Sequence, residues 1–293
     1  MTEKNINYII TSDSTADIPK ELISGDYDFA EMSYVLDGVL YDGKNTPFLT
    51  NEKFYEAIKS GSTAQTSLVS VQDATELFEK HLKEGKDILH ISFSSGLSGT
   101  YESYLSAREE LLKKYPDRKI AIIDSKAATG GEGMLVYFAM QNRLNGMSLE
   151  ENEADVSQKV DHVIHLFTVS DMMHLYRGGR ITKAKAIAGL LAHVKPILIV
   201  NGEGKLETIG KAPGTVLALK TISDILTQRT AGYDNKVIFI THTGSIDLAE
   251  KLKAKVAHLA KEIYVTECSP IIGAHLGFGS VTVFALGSTK NAK

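Results

Sequence analysis

The chain has one cysteine, Cys268, and no tryptophan among its 293 residues. A single cysteine cannot form a disulfide within the chain, so disulfide crosslinks cannot stabilise the fold. We therefore expect a cytoplasmic location, where thiols stay reduced. The first residues also lack the long apolar segment and the small-residue cleavage site of a secretory signal, which agrees with that expectation.

Long apolar runs are missing as well. The richest stretch, residues 186–200, is interrupted by His193, Lys195 and Pro196, whereas a transmembrane helix needs about 18 or more apolar residues. With 43% hydrophobic and 23% charged residues, the composition is typical of a soluble globular protein. The length suggests two domains at about 150 residues each.

Several sequence motifs with known chemistry are absent. The chain has no G-x-x-x-x-G-K-[ST], no G-x-G-x-x-G after a strand, no G-x-S-x-G and no H-E-x-x-H. These absences argue against a P-loop, a dinucleotide site, a nucleophile elbow and a zinc protease site. His162 and His165 are three residues apart, but no carboxylate or thiolate partner for a zinc site is evident. They are therefore more typical of surface or packed histidines than of zinc ligands. We expect no metal and no cofactor.

The net charge of −4 conceals an asymmetry, because acidic residues predominate in 1–157 and basic residues in 158–293. The halves could attract one another, or the basic half could meet an acidic partner or, transiently, a membrane surface. Two independent solvated surfaces would give the same pattern. Nothing in the sequence indicates binding to nucleic acid.

What the chain does contain is a repeated pattern of apolar strand, short polar turn and amphipathic helix. It occurs at 7–23, from 90 to the helix after Thr100, at 119–146 and at 236–256, and it predicts an α/β fold with parallel sheet. Hairpins are predicted around Asp37-Gly38 and Asn201-Gly202, and a last strand at 280–287. We expect a mostly parallel N-terminal domain, 1–160, and a mixed-sheet C-terminal domain, 161–293.

The turn Ser94-Ser95-Gly96-Leu97-Ser98-Gly99-Thr100 follows a predicted strand and precedes a predicted helix. The first turn of a helix presents free N–H groups, so this place suits an anion. Because the turn has hydroxyls but no Lys or Arg, the anion it suits is a carboxylate rather than a polyphosphate. The alternative is that Ser98 or Thr100 only caps the helix and the glycines only tighten the turn.

Three other stretches could converge on that turn. Residues 62–67 form a loop rich in hydroxyl donors, and His275 lies among glycines just before the last strand. Arg177 and Arg180 flank Gly178-Gly179, although a glycine helix end with arginines complementing the helix dipole would look the same.

Seven short motifs, taken in order, make the whole chain resemble the DegV family: SDSTADIP, TAQTS, ISFSSGLSGTY, DSKAATGGEG, LYRGGRI, KPIL and HLGFG. The resemblance implies a long-chain fatty acid bound in a tunnel between two α/β domains. It also implies a non-catalytic role as the lipid-binding subunit of a bacterial fatty acid kinase. Such a subunit presents the carboxylate to a separate ATP-dependent kinase subunit, which forms the acyl-phosphate used in phospholipid metabolism.

The resemblance also implies roles for individual residues. The carboxylate ligands would be Thr63, Ser95 and His275, and Arg177 with Arg180 would dock the kinase subunit. Residues that would support the head-group turn are Ser94, Gly96, Ser98, Gly99, Thr100 and Gly277.

This chain departs from the family pattern at three positions. Ala64 and Thr66 replace the usual Ser and Pro, which could shift Thr63. Phe278 replaces a common Pro, and we expect its ring near the mouth of the pocket.

The tunnel needs an apolar lining, which segments 133–140, 171–176 and 186–194 could supply, although apolar residues at helical spacing are equally typical of core packing. Two alternative functions stay open. One is a carrier of another amphiphilic carboxylate, such as an isoprenoid or retinoid acid. The other is an acyl hydrolase with Ser95 or Ser98 as nucleophile and His275 as base.

Overall fold

The structure is a computed structural model that describes residues 7–188 and 194–290. In this part of the chain the strands are β1 (Tyr8–Asp13), β2 (Tyr27–Ala30), β3 (Tyr34–Leu36), β4 (Val39–Tyr41), β5 (Ala64–Thr66), β6 (Asp87–Ser92), β7 (Ile120–Asp124), β8 (Val163–Thr168), β9 (Val194–Val200), β10 (Leu206–Pro213), β11 (Val237–His242), β12 (Glu262–Glu267) and β13 (Val281–Leu286). The α-helices are α1 (Asn51–Lys59), α2 (Val71–Lys83), α3 (Thr100–Lys114), α4 (Gly130–Leu144), α5 (Leu149–Val160), α6 (Met172–Arg177), α7 (Lys183–Ala188), α8 (Gly214–Arg229), α9 (Ile246–Val256) and α10 (Pro270–Leu276).

The N-terminal half contains a four-stranded parallel sheet in the order β2-β1-β6-β7. Strand β1 is buried along its whole length and β6 along all but its first residue, as expected for parallel strands covered on both faces. The predicted strand–helix units at β6–α3 and β7–α4 are confirmed. Helix α5 begins with a capping box between Ser148 and Glu151, a motif typical of helix starts.

The first predicted unit has no α-helix. Residues Lys20–Leu22 form only a short 3₁₀ turn after Pro19. Gly25 then takes a positive φ of 73° and β2 begins at Tyr27. Too few residues separate the turn from β2 for an amphipathic helix, so the prediction of a helix here was wrong.

The C-terminal half contains a six-stranded mixed sheet in the order β10-β9-β8-β13-β11-β12. The predicted hairpin is confirmed as the antiparallel β9–β10 pair, and the last strand, β13, lies between β8 and β11, antiparallel to both. The strands change from the first sheet to this one between α5 and β8. That change occurs where the sequence places the boundary at 160/161, although the boundary itself stays a prediction.

A small antiparallel sheet, β4-β3-β5, completes the N-terminal half. Its β3–β4 hairpin turns at Asp37 and Gly38, both with positive φ, as the sequence predicts. Strand β5 uses part of the segment that the sequence predicts as a loop, and it pairs with β3. The adjacent helix α1 contacts the other half, because the Tyr55 hydroxyl donates to the carbonyl of Cys268 at 2.8 Å.

Helix α4 packs very closely on the loop after β1. A Cβ at Gly133 would overlap the carbonyl oxygen of Ala16, which is backbone and cannot move aside as a flexible side chain could. Next along α4, Met134, Leu135 and Val136 are fully buried. The tight contact therefore fixes the depth at which α4 sits against the parallel sheet.

We expect Gly133→Ala to lower the free energy of unfolding by about 1–3 kcal/mol, because overpacking outweighs the better helix propensity of alanine. Urea denaturation measures the change. Gly210→Ala is the matched control, since its Cβ would meet nothing closer than Ile197 at 4.0 Å and should change stability by less than about 0.5 kcal/mol. Equal effects of the two substitutions would contradict this packing argument.

Candidate functional site

A cavity of about 330 Å³ lies between the two large sheets, at the lower end of the range of ligand pockets, roughly 300–1,000 Å³. Its walls are mainly apolar. The apolar lining residues come from both halves of the chain and are Met32, Leu68, Phe93, Leu97, Ala128, Phe167, Leu175, Val200, Leu206, Ile271, Ile272, Leu276 and Phe284. Such a wall suits a hydrocarbon, because it offers water no hydrogen bonds and an apolar chain gives up none by lying against it.

Polar lining residues form two separate groups. The outer end consists of Thr66, Ser67, Ser98, Arg180 and His275. It is open to solvent, since Ser67 is exposed and its neighbour Leu68 is 48% exposed.

The inner end consists of Thr15, Thr129, His165 and Thr282, and all four side chains are buried. It lies deeper along β8 and β13, around the start of α4. The two ends therefore offer different chemistry to a ligand.

The outer end joins the two halves of the chain through hydrogen bonds. The Thr66 hydroxyl lies 2.8 Å from Nε2 of His275, and Arg180 Nε donates to the carbonyl of Leu97 at 3.1 Å. Gly178 makes this approach possible, because a Cβ there would overlap Nδ1 of His275. The loop at 62–67, helix α10 and Arg180 thus form one connected site.

His275 is a neutral donor at this end. Burial, with a further contribution from the Arg180 guanidinium, lowers the pKa of His275 to about 3. Burial also lowers the pKa of Arg180, but a guanidinium keeps its charge in proteins. Arg180 is therefore the cation of the outer end, and the imidazole supplies a single N–H.

The turn at 94–100 is held by its own side chains. The Ser94 hydroxyl donates to the carbonyl of Gly204 at 2.8 Å, and the Ser95 hydroxyl donates to Asp124 at 2.6 Å. A Cβ at Gly96 would lie 2.5 Å from the carbonyl oxygen of Glu203. Ser94 and Ser95 therefore fix the turn against its neighbours, and neither is among the lining residues of the cavity.

The later part of the same turn does reach the cavity. Ser98 and Gly99 line it; Gly99 precedes α3 without a side-chain cap. The Ser98 hydroxyl lies 2.9 Å from Oγ1 of the buried Thr100. Ser98, to which the resemblance gives only a supporting role, is the serine of this turn that lines the cavity.

Thr63 does not reach the cavity. Its side chain is exposed and its N–H donates to Asp37 at 3.1 Å. Because side chains alternate along an extended strand, Thr66 and Ala64 of β5 point one way and Thr63 points the other. Sequence reasoning treated Thr66 only as a departure from the family pattern, although the residue brings a hydroxyl to His275 that a proline could not supply.

The structure separates the two arginines that were predicted together. Arg177, at the end of α6, is exposed and has no hydrogen bond or ion pair with any residue that the structure describes. Arg180 is partly buried and lines the cavity. Position within the motif therefore does not decide which arginine faces the ligand.

Two further expectations about the pocket were wrong in part. Phe278 is absent from the cavity lining; its ring packs against Gly244 and lies 4.9 Å beneath the Lys59 ammonium. Segment 133–140 is core rather than lining. Leu175 of segment 171–176 does line the cavity, and residues 189–193 of segment 186–194 lie outside the described residues.

Gly277, predicted to support the turn, follows α10 with a φ of 70°. A Cβ at this position would overlap the ring of His174. Glycine is therefore needed here for both its conformation and its size, and it ends the helix two residues after His275.

Two buried acids lie directly behind the inner end. The Thr15 hydroxyl lies within hydrogen-bonding distance of both Glu132, at 2.8 Å, and Asp13, and Ser12 donates to Glu132 at 2.9 Å. A hydroxyl has one hydrogen and cannot donate to two carboxylates at once. At least one of the two acids must therefore carry a proton, and burial raises the pKa of both.

A third acid, Asp17, approaches the inner end from the same side. It accepts a hydrogen bond from the Ser269 N–H at 2.8 Å and contacts the Thr129 hydroxyl at 2.5 Å. Burial raises the pKa of Asp17 from 3.8 to about 7. Lys290 is buried nearby against the carbonyls of Ser125 and Lys126, but it does not line the cavity.

The comparisons with known proteins agree with the resemblance. The family model described as "Uncharacterised protein, DegV family" matches residues 8–288. A DegV domain-containing protein of Clostridium perfringens is 38% identical over 286 residues, which cover 97% of this chain and 98% of the relative.

Two solved structures share the fold. The fatty acid binding DegV family protein of Streptococcus agalactiae is 26% identical with a TM-score of 0.84, covering 97% of this chain and all of that one. A Thermus thermophilus DegV family protein, described by its fatty acid binding, is 27% identical with a TM-score of 0.83, covering 96% and 99%. The predicted two-domain α/β fold of this family is confirmed.

The described residues contain neither a membrane-spanning helix nor a cluster of metal ligands. No helix among residues 7–188 and 194–290 is long and apolar enough to cross a membrane. The same residues contain no group of three or more His, Cys, Asp or Glu side chains placed to hold a metal ion.

We expect Asp17→Asn to change the pH dependence of stability. The pKa of Asp17 is raised in the folded state. Its contribution to the free energy of unfolding is therefore complete below about pH 4 and is lost as the pH rises towards 7. Asparagine mimics the neutral acid, so the variant should gain about 2–3 kcal/mol relative to the original chain between pH 5 and pH 8. Urea unfolding at pH 5, 6, 7 and 8 measures this difference.

The exposed Glu110 provides the control, since Glu110→Gln should leave the pH dependence of unfolding unchanged. Asp13 and Glu132 are present in every protein compared, so their own titration cancels in the difference. Parallel stability curves for Asp17→Asn and the original chain would show that Asp17 is not held neutral.

Proposed function

We propose, from the premise that this chain belongs to the DegV family, that it binds one long-chain fatty acid in the cavity between its sheets. The observation that carries the proposal is the charge distribution of that cavity. Among the described residues that line it, one cation, Arg180, lies at the open end of an apolar interior, and buried acids lie behind the closed end. The similar proteins from Streptococcus agalactiae and Thermus thermophilus, which are described as fatty acid binding, support the same ligand class.

The charges also orient the ligand. A carboxylate at the outer end would be paired with Arg180 and receive hydrogen bonds from neutral donors. Among the described residues no Lys or Arg lines the inner end, and the neighbouring acids Asp13, Asp17 and Glu132 cannot supply the positive charge that a carboxylate needs. We therefore propose that the head group lies at the outer end and the tail points inward.

We propose Ser98, Thr66 and Arg180 as the direct carboxylate contacts, with His275 acting on Thr66. When the imidazole hydrogen is on Nε2, His275 donates to Thr66 and leaves the threonine hydrogen free for the ligand. Ser95 then has a positioning role through Asp124. Thr63 would need a different conformation of its loop to contact the carboxylate.

The tail, rather than the head group, should dominate affinity. Burying about 14 methylenes at ~0.8 kcal/mol each contributes roughly 11 kcal/mol before the costs of ordering. A hydrogen bond to a charged group contributes about 1.5–3 kcal/mol net. The head-group contacts therefore fix position and orientation, which a partner enzyme needs in order to find the carboxylate.

We further propose that the chain is the non-catalytic lipid-binding subunit of a fatty acid kinase in the cytoplasm. A separate ATP-dependent subunit would phosphorylate the carboxylate, with the acyl-phosphate entering phospholipid metabolism after transient contact with a membrane surface. The solvent-open outer end supports such access. The exposed Arg177 offers a cation near it for the partner.

A serine hydrolase is less well supported. Ser98 is paired with Thr100 and Ser95 with Asp124, while His275 is paired with Thr66. A nucleophile and its base need a hydrogen bond to each other, and the described residues provide none between these serines and His275. A carrier of another amphiphilic carboxylate would use the same contacts and is distinguished by the lipid recovered from the purified protein.

We expect Arg180→Gln to weaken palmitate binding about 10–100-fold, because the carboxylate loses its charged partner. Titration calorimetry on lipid-free protein measures the dissociation constant. Arg177→Gln is the matched control and should bind palmitate normally. Equal losses in the two variants, or a purified protein that neither contains nor binds any fatty acid, would overturn the proposal.

We expect Arg177→Gln to lower acyl-phosphate formation at least fivefold without changing the palmitate affinity, because rim charges govern the rate of protein association. Transfer of labelled phosphate from ATP by the purified kinase subunit measures the effect. Lys220→Gln, an exposed charge change on α8, serves as control. Undiminished phosphate transfer to the lipid bound by Arg177→Gln would show that Arg177 does not contribute to the partner contact.

A further inference from the structure

The hydroxyl of Thr282 faces the cavity without a hydrogen-bond partner. Thr282 lies on β13, is 4% exposed and lines the cavity, and its hydroxyl bonds to no residue in the part of the chain that the structure describes. Buried hydroxyls are normally satisfied, because an unmade hydrogen bond costs stability. A valine would fill the same space in this apolar wall without that cost.

The register of the mixed sheet places Thr282 well inside the cavity. Thr282 pairs with Phe167 across β8, and the next inward pair is Phe284 with His165. All four of these residues line the cavity. Thr282 therefore lies on the same pair of strands as His165 of the inner end, apart from the outer-end residues of the cavity.

Other hydroxyls of the inner end are already engaged. Thr15 is hydrogen-bonded to the acids Glu132 and Asp13, and Thr129 to Asp17. Thr129 is also connected towards Thr282, because its hydroxyl lies 3.3 Å from that of Thr241, the cross-strand neighbour of Thr282. Thr282 alone among these three lining threonines keeps its hydrogen and its lone pairs available.

The complement of such a group is an uncharged oxygen on the acyl chain. A ligand hydroxyl can either accept from Thr282 or donate to it, and it can make a second hydrogen bond to an engaged threonine oxygen. A second carboxylate would lie without a cation there, because no Lys or Arg of the described residues lines the inner end. An unsubstituted chain would leave the Thr282 hydroxyl unsatisfied.

We infer that Thr282 is a specificity-determining residue that lets the cavity accept a fatty acid carrying a hydroxyl on its chain. This inference rests on the proposed fatty acid binding. It names a substrate class, the hydroxy fatty acids, and a residue that discriminates them from saturated acids of the same length.

The test is competition of stearate and a positional series of monohydroxystearates against labelled stearate. For each competitor the ratio of its dissociation constant to that of stearate is determined in the original chain and in Thr282→Val. At the hydroxyl position that reaches Thr282, the variant should lose about three- to tenfold in relative preference for the hydroxy acid. The intrinsic cost of dehydrating the ligand hydroxyl cancels in this comparison.

Thr168→Val is the matched control. Thr168 is a buried threonine of the adjacent strand whose hydroxyl also lacks a partner, but it does not line the cavity, so the ratios should stay as in the original chain. Thr282→Ser keeps a hydroxyl and should retain the preference, which separates hydrogen bonding from a general change in packing.

The outcomes distinguish the two proposals. Identical ratios in the original chain and Thr282→Val at every hydroxyl position would overturn the inference while leaving fatty acid binding intact. Failure of stearate itself to bind would overturn the proposed function.

Discussion

A charge without a partner is unstable in an apolar interior, and this constraint organises the whole cavity. A fatty acid brings one negative charge together with a long chain that needs apolar surroundings. The protein has a guanidinium, Arg180, at the open end and holds at least one of the acids behind the closed end protonated. Because the ends differ in this way, the proposed head group and tail would each meet suitable surroundings.

The outer end exists only because separate parts of the chain approach closely. Arg180 comes from the C-terminal half and hydrogen-bonds the carbonyl of Leu97 in the N-terminal half. Gly178 allows His275 to approach its backbone, and Gly96 allows the β9–β10 hairpin to lie on the turn. Any movement between the halves would therefore change the outer end of the cavity, and with it the proposed carboxylate contacts.

The acids behind the inner end serve a different purpose from a catalytic pair. Glu132 and Asp13 share the Thr15 hydroxyl, so at least one proton is held between them. Their neutral form is compatible with an apolar cavity, whereas two carboxylates would not be. The network thus joins the start of α4 to the end of β1 through at least one protonated acid.

The amino-acid sequence determined the local structure well. The Asp37-Gly38 turn and the Ser148–Glu151 capping box depend on residues a few positions apart, and so does the alternation of strands and helices. The prediction of a helix after Pro19 was wrong, because few residues remain before β2. The start of β2 is set by its pairing with β1, which the local sequence does not show.

Within the site, the motifs identified several of the segments that line the cavity, but only the tertiary structure decided which of their residues do so. Side chains alternate along a strand, so a shift of one residue exchanges the inward and outward faces; Thr66 rather than Thr63 therefore lines the cavity. Likewise Ser98 faces the cavity while Ser95 binds Asp124, and Arg180 turns inward while Arg177 stays in solvent. Local patterns fix the backbone conformation. The direction in which a side chain points depends on packing between segments that are distant in sequence, and one amino-acid sequence does not give the distances between those segments.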